Sequence, residues 1–103
     1  MIEGIEIKKT QNEKTMNLKL IGRLDASTSP KLLEVFAETF KDSEKIELDF
    51  SDVVYVSSAG LRVLLIGAKN AKSSDKVMEI LNASSHIMRV FEVTGFSKIL
   101  TVK

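Results

Sequence analysis

The chain contains no cysteine. Disulfides, thiol nucleophiles and thiolate metal sites are therefore excluded. Tryptophan is also absent, and histidine occurs once, as His86. A Ser-His-Asp machine would have to use that one imidazole as its base. A metal site would rest on one histidine plus carboxylates, so the raw material for catalysis is thin. No apolar run approaches the roughly 18 residues needed to cross a bilayer. The opening residues MIEGIEIKKT lack the apolar core of a secretion signal. Neither sign of charge dominates: 15 Lys and Arg face 14 Asp and Glu, for a formal net charge of +1. No basic stripe is present, so no nucleic acid is expected as a partner. The phosphate-loop pattern GxxxxGK[ST] does not occur, so the chain has no nucleotide motif of its own. These absences lead us to expect a cytoplasmic protein with no direct membrane insertion, no metal and no cofactor.

What is present suits one compact domain spanning residues 1–103, long enough to bury a core without staples. Residues 5–9, IEIKK, alternate in type and read as a strand. TQNEK at 10–14 is turn material, and MNLKLIG at 16–22 reads as a second strand in a hairpin with the first. A helix follows in RLDASTSPKLLEVFAETFK, with Ser27, Thr28 or Ser29 as cap and Pro30 in the first turn. Leu33, Phe36, Ala37 and Phe40 are expected on its inner face, with Lys31, Glu34, Glu38 and Lys41 outward. KIELDF at 45–50 reads as a strand, and SDVVYV carries the chain onward. A second helix runs from Ser57 or Ser58 to about Lys72, with Leu61, Leu64, Leu65 and Ala68 inward. KVMEIL at 76–81 is a further strand. A third helix starts near Ser84 or Ser85, buries Ile87, Val90 and Phe91, and stops at Gly95. KILTV at 98–102 closes the chain as a last strand. The order β-β-α-β-α-β-α-β implies an α/β fold: a mixed, mostly parallel sheet with helices packed on one face.

In such sheets, sites gather beyond the carboxyl ends of the parallel strands. That edge should carry Asp25, Ala26, Ser27 and Thr28, then Asp52 to Ser58, then Asn82 to Ser85. Asp25 and Ser58 are thus expected as neighbours. Ser57 and Ser58 stand at a helix start, where one serine suffices as a cap worth about 1 kcal/mol. The other reading is phosphorylation, which a helix N-terminus tolerates through its free N–H groups and dipole. Beside Asp25 and Asp52, a phosphate would build an acidic patch. On the second helix, Val63, Ile66 and Gly67 are expected outward, flanked by Arg62 and Lys69. Scattered surface apolars are ordinary; a docking patch is the alternative. Asp49 and Asp52 offer too few oxygens for a hard cation and are read as loop hydrogen bonders. His86 is expected exposed in the first turn of the third helix, with no obvious nucleophile partner.

Three stretches carry a resemblance: LIGRLDASTSPKL, LDFSDVVYVSSAGLRVLL and MRVFEVTGFSKIL. In this order and spacing the chain resembles the STAS-domain anti-sigma factor antagonists of bacteria, over nearly its whole length. The resemblance implies a single STAS-like domain that is not an enzyme and works by partner switching. It places the phosphorylated serine at Ser58, with Ser57 as second choice, and the Asp of a G-x-L-D stretch at Asp25. Unphosphorylated, such a protein binds an anti-sigma factor that is also a serine kinase; phosphorylated, it lets go. The kinase brings ATP and magnesium, and a metal-dependent serine phosphatase resets the switch. The expected partner-binding residues are Asp25, Ser27, Ser57, Ser58, Gly60, Arg62, Val63, Ile66 and Lys69. The chain departs from the family at two positions: Ser57 stands where Asp is frequent, and Ala59 where Ser or Thr is frequent. The family's fourth, C-terminal helix is not expected, since the sequence stops at Lys103. The alternative reading is a STAS subunit or scaffold of a transporter or signalling complex that is never phosphorylated. A small hydrolase using Ser58 and His86 is the remaining rival.

Overall fold

Hydrophobic alternation and three amphipathic stretches resolve into β1 (Ile5–Asn12), β2 (Thr15–Leu24), α1 (Ser29–Asp42), β3 (Lys45–Val56), α2 (Ser58–Ser73), β4 (Val77–Leu81), α3 (Ser85–Thr94) and β5 (Thr101–Val102). The computed structural model describes residues 4–103, so the first three residues of the expected domain lie outside the described residues. The five strands stand in chain order, β1 antiparallel to β2 and every later pair parallel. The expected α/β class and element order are found.

Strand pairing decides which side is buried. Leu18 pairs with Leu48, Leu48 with Ile80, and Ile46 with Met78, and all are buried. Residues paired across strands share a face. Phe91 of α3 meets Phe50 of β3 with ring centroids 6.3 Å apart. Gly67 of α2 lies against Phe36 of α1 and Met78 of β4. All three helices therefore cover one face of the sheet. Burial of each such aromatic or aliphatic side chain contributes about 1.5–3 kcal/mol. The opposite face pairs Lys19 with Asp49, and Glu47 with Glu79. On that face Glu79 of β4 is 7% exposed, and its carboxylate oxygens lie 3.0 Å from the Lys45 Nζ and 2.9 Å from the Lys103 Nζ.

Several expected boundaries and faces are corrected. The first two strands run nearly to the turn at Glu13 and Lys14, not just to residue 9 and from residue 16. In α1 the buried set is Ser29, Leu32, Val35, Phe36 and Thr39, while Leu33 and Ala37 are exposed. The true stripe contains a threonine, so counting apolar residues rotated it by one position. In α2 the buried set is Gly60, Leu61, Val63, Leu64, Gly67 and Ala71. Val63 and Gly67, expected outward, face the core. A Cβ at Gly67 would stand 2.7 Å from a Phe36 ring carbon, so this helix turns its glycine side inward to approach α1. Strand β5 holds only two residues, because Phe96–Lys98 forms a turn of 3-10 helix first.

β3 is twice as long as expected, reaching Val56. Between Asp49 and Asp52 it advances three residues while β2 advances two, and between Val53 and Tyr55 two while β2 advances one. Each shift is a bulge, which re-aims the side chains beyond it. Residues 52–56, expected in a loop, are therefore strand.

Glu79 supplies a test. Its carboxyl is held below the ordinary value of 4.5, first by the hydrogen bond from Lys103 and then by that from Lys45. A carboxyl with a lowered folded pKa adds stability above its unfolded pKa, and that stability is lost as pH falls through the folded pKa. Asp25 and Asp49 are shifted in the same direction. Glu79→Gln should therefore lower stability at pH 7 and flatten, without abolishing, its fall below about pH 4.5. Urea unfolding across acid pH measures this; an unchanged acid slope in the variant would contradict the role given to Glu79.

Candidate functional site

At the carboxyl end of β3 the chain passes from Val56 through a single residue, Ser57, into α2. Ser57 is extended, with φ −89° and ψ 176°, which is N-cap geometry. Its Oγ accepts the Gly60 N–H at 3.2 Å, and its carbonyl accepts the Leu61 N–H at 2.9 Å. Its own N–H donates to the Leu24 carbonyl at 2.9 Å, tying the start of α2 to the end of β2. A Cβ at Gly60 would lie 2.6 Å from that same Leu24 oxygen, so only glycine fits there. Ser58, the first residue of α2, is exposed, and its side chain makes no hydrogen bond among the described residues. The two serines are thus unlike: Ser57 is engaged as the cap and Ser58 presents a free hydroxyl.

Across from them, Asp25 organises the turn into α1. Its Oδ1 accepts the Ser27 hydroxyl at 2.7 Å, the Ser27 N–H at 3.0 Å and the Thr28 N–H at 3.2 Å. The Thr28 hydroxyl donates to the Arg23 carbonyl at 2.8 Å and accepts the Asp25 N–H at 2.9 Å. The hydrogen bond from the Ser27 side chain is the largest cause holding the Asp25 carboxyl below its ordinary range, so it stays ionised at neutral pH. The expected side-chain cap is absent: Thr28 occupies the N-cap position without capping, the Asp25 side chain holds the turn before the helix, and the Ser29 N–H donates to the Asp25 backbone carbonyl at 2.8 Å.

Arg23, Asp25, Ala26, Ser27, Tyr55, Ser57, Ser58 and Ala59 line one open hollow of about 500 Å³. Asp25 and Ser58, expected as neighbours, line the same hollow. Asp52 does not join them: the bulge turns it toward Lys19, 3.3 Å away, so the acidic pair with Asp25 does not form. Asn82 also stands apart, bonded to Asp49 Oδ1 at 3.2 Å. Asp49 further accepts the Ser51 N–H at 3.0 Å, the local hydrogen bonding expected of it. His86 is exposed in the first turn of α3, as expected. On α2, Arg62 and Lys69 are exposed and Ile66 is half-buried, but Val63 is 6% exposed and offers nothing to a partner. Sequence reasoning missed Arg23 and Tyr55. They sit opposite each other across β2 and β3, and the guanidinium stacks 4.5 Å above the ring. Correct alignment of the two strand ends is the signal that would have found them.

The frame that carries this hollow is a five-stranded mixed sheet with three helices on one face. A family profile described as "Mlab, STAS domain" matches residues 7–101, and the chain belongs to the STAS domain family. Within that family it is 32% identical over 100 residues to the anti-sigma-B factor antagonist of Staphylococcus aureus, covering 96% of this chain and 93% of that one. Among solved structures, an anti-sigma factor antagonist from Mycobacterium paratuberculosis superposes with a TM-score of 0.85 at 18% identity, over 95% of this chain and 84% of the other. The Bacillus cell fate determinant SpoIIAA in its phosphorylated form gives 0.73 at 16% identity, over 96% and 90%. At these identities the structures speak for the fold alone.

The unequal serines make a direct prediction. Ser57→Ala removes a cap and should destabilise by about 1 kcal/mol. Ser58→Ala breaks no hydrogen bond and should stay within about 0.5 kcal/mol of the wild type. Urea unfolding of both variants measures the difference, and the reverse order of stability would overturn the assignment.

Proposed function

We propose that this protein is an anti-sigma factor antagonist that switches partners through phosphorylation of Ser58. The observation carrying the proposal is the free Ser58 hydroxyl beside an occupied Ser57. Support comes from the 32% identity to an anti-sigma-B factor antagonist and from a related fold solved in phosphorylated and unphosphorylated forms. In the reaction the Ser58 oxygen bonds to the γ-phosphorus of ATP held by the partner kinase. The bond to ADP breaks, and the hydroxyl proton leaves to a base on the kinase. A serine phosphatase reverses the state by hydrolysis.

The phosphate adds about −1.5 to −2 charges at neutral pH. At the first position of α2 the free N–H groups and helix dipole accommodate that charge, so the fold survives. The docking surface changes instead. It comprises Asp25, Ser27, Ser58, Arg62, Ile66 and Lys69. Ser57 and Gly60 shape the turn beneath. Val63 is withdrawn from the expected set because it is buried.

The test is affinity for the kinase partner. Ser58→Ala should bind as the unmodified protein does, resist phosphorylation and keep binding in the presence of ATP. Ser58→Asp should bind about tenfold more weakly or worse, since a like charge set against a fitted surface costs more than 1 kcal/mol. Calorimetry with the purified partner reads both. Equal affinity of the wild type, Ser58→Ala and Ser58→Asp would sink the switch.

A further inference from the structure

Arg23 is the basic side chain in the hollow that holds Ser58, and its donors are idle. Its Nε lies 3.7 Å from Asp25 Oδ2, beyond hydrogen-bond length. No side-chain hydrogen bond of Arg23 occurs among the described residues. The guanidinium nevertheless has a fixed seat, stacked on Tyr55. Stacking orients the plane of the fork and uses none of its five N–H donors. The backbone fixes the seat relative to Ser58. Arg23 precedes Leu24, Ser57 precedes Ser58, and Leu24 and Ser57 are joined by a 2.9 Å hydrogen bond. Asp25 competes weakly: its Oδ2 faces the guanidinium from 3.7 Å, while its Oδ1 is turned to Ser27 and Thr28.

We propose that Arg23 is a built-in clamp for the Ser58 phosphate: on modification the guanidinium leaves its loose contact with Asp25 and closes on two phosphate oxygens while staying seated on Tyr55. The proposal rests on Ser58 as the modified residue. A phosphate carries more charge and more acceptors than one carboxylate oxygen, and its geometry matches the guanidinium fork. The clamp gives the switch a second component. Modification adds negative charge and also withdraws a positive group from the rim that a partner meets. The charged and titratable groups around the phosphate are Arg23 on β2, Asp25 on the following loop, Tyr55 on β3 and Arg62 one turn along α2.

The test uses the full chain with phosphoserine installed at position 58 during translation, so no kinase is needed. Phosphorus NMR titration then follows the second ionisation of the phosphate, ordinarily near 6. With the clamp, Arg23→Gln should raise that midpoint by about half a unit or more relative to the wild type. Arg23→Lys, which keeps charge but lacks the fork, should fall between them. Arg62→Gln should leave the midpoint near the wild-type value. The Tyr55 ring signals should shift on phosphorylation in the wild type and not in Arg23→Gln. Arg23 is more than half exposed, so the variant is expected to fold, and its amide spectrum checks this. An unchanged midpoint in Arg23→Gln overturns the clamp, as does a shift produced by Arg62→Gln instead. Either result leaves phosphorylation in cells to be judged separately, so failure of the clamp and failure of the switch are distinguishable.

Discussion

The carbonyl oxygen of Leu24 is the constraint on which the site depends. It ends β2, accepts the Ser57 N–H and lies so close to Gly60 that no side chain fits between them. Through this one oxygen the end of a strand, the cap of a helix and the first turn of that helix share a fixed geometry. Every other feature of the hollow hangs from it. Ser58 points outward because Ser57 is committed inward. Asp25 and Arg23 reach the same hollow because they flank Leu24 in sequence. The two bulges in β3 bring Tyr55 opposite Arg23 when a regular strand of that length would have placed another residue there.

The helix-covered face and the bare face divide the work. Parallel sheets are usually covered on both sides. Here the uncovered side carries paired charges, with Glu79 held between two lysines. The apolar side needs all three helices to bury Leu18, Leu48, Phe50 and Ile80. One close approach on that side is that of Gly67 to Phe36 and Met78. Close packing there sets α2 against α1 and β4.

Most of the architecture was legible in the sequence, for physical reasons. Alternation in β2 and the first half of β3 marked the strands, and Ser57, Ser84 and Gly95 marked helix ends. What was hidden broke a periodicity or had no side chain to signal it. The bulges interrupt the period of two, so SDVVYV did not read as strand. Gly60 and Gly67 are buried without looking apolar, so the core face of α2 was rotated and Val63 was placed outside. Thr39 stands in a buried stripe of α1 where a hydrophobic residue would have revealed it. The meeting of Asp25 and Ser58 followed from topology, while that of Arg23 and Tyr55 depends on a register that only the bulged pairing supplies.

The central claim is a division of labour between adjacent serines, one capping a helix and one carrying the signal. Phosphosite mass spectrometry on the protein from its own cells, growing and stressed, tests it most directly. The account requires phosphate on Ser58, changing with condition, and none on Ser57. Phosphate on Ser57, or none on either serine under any condition, would contradict it.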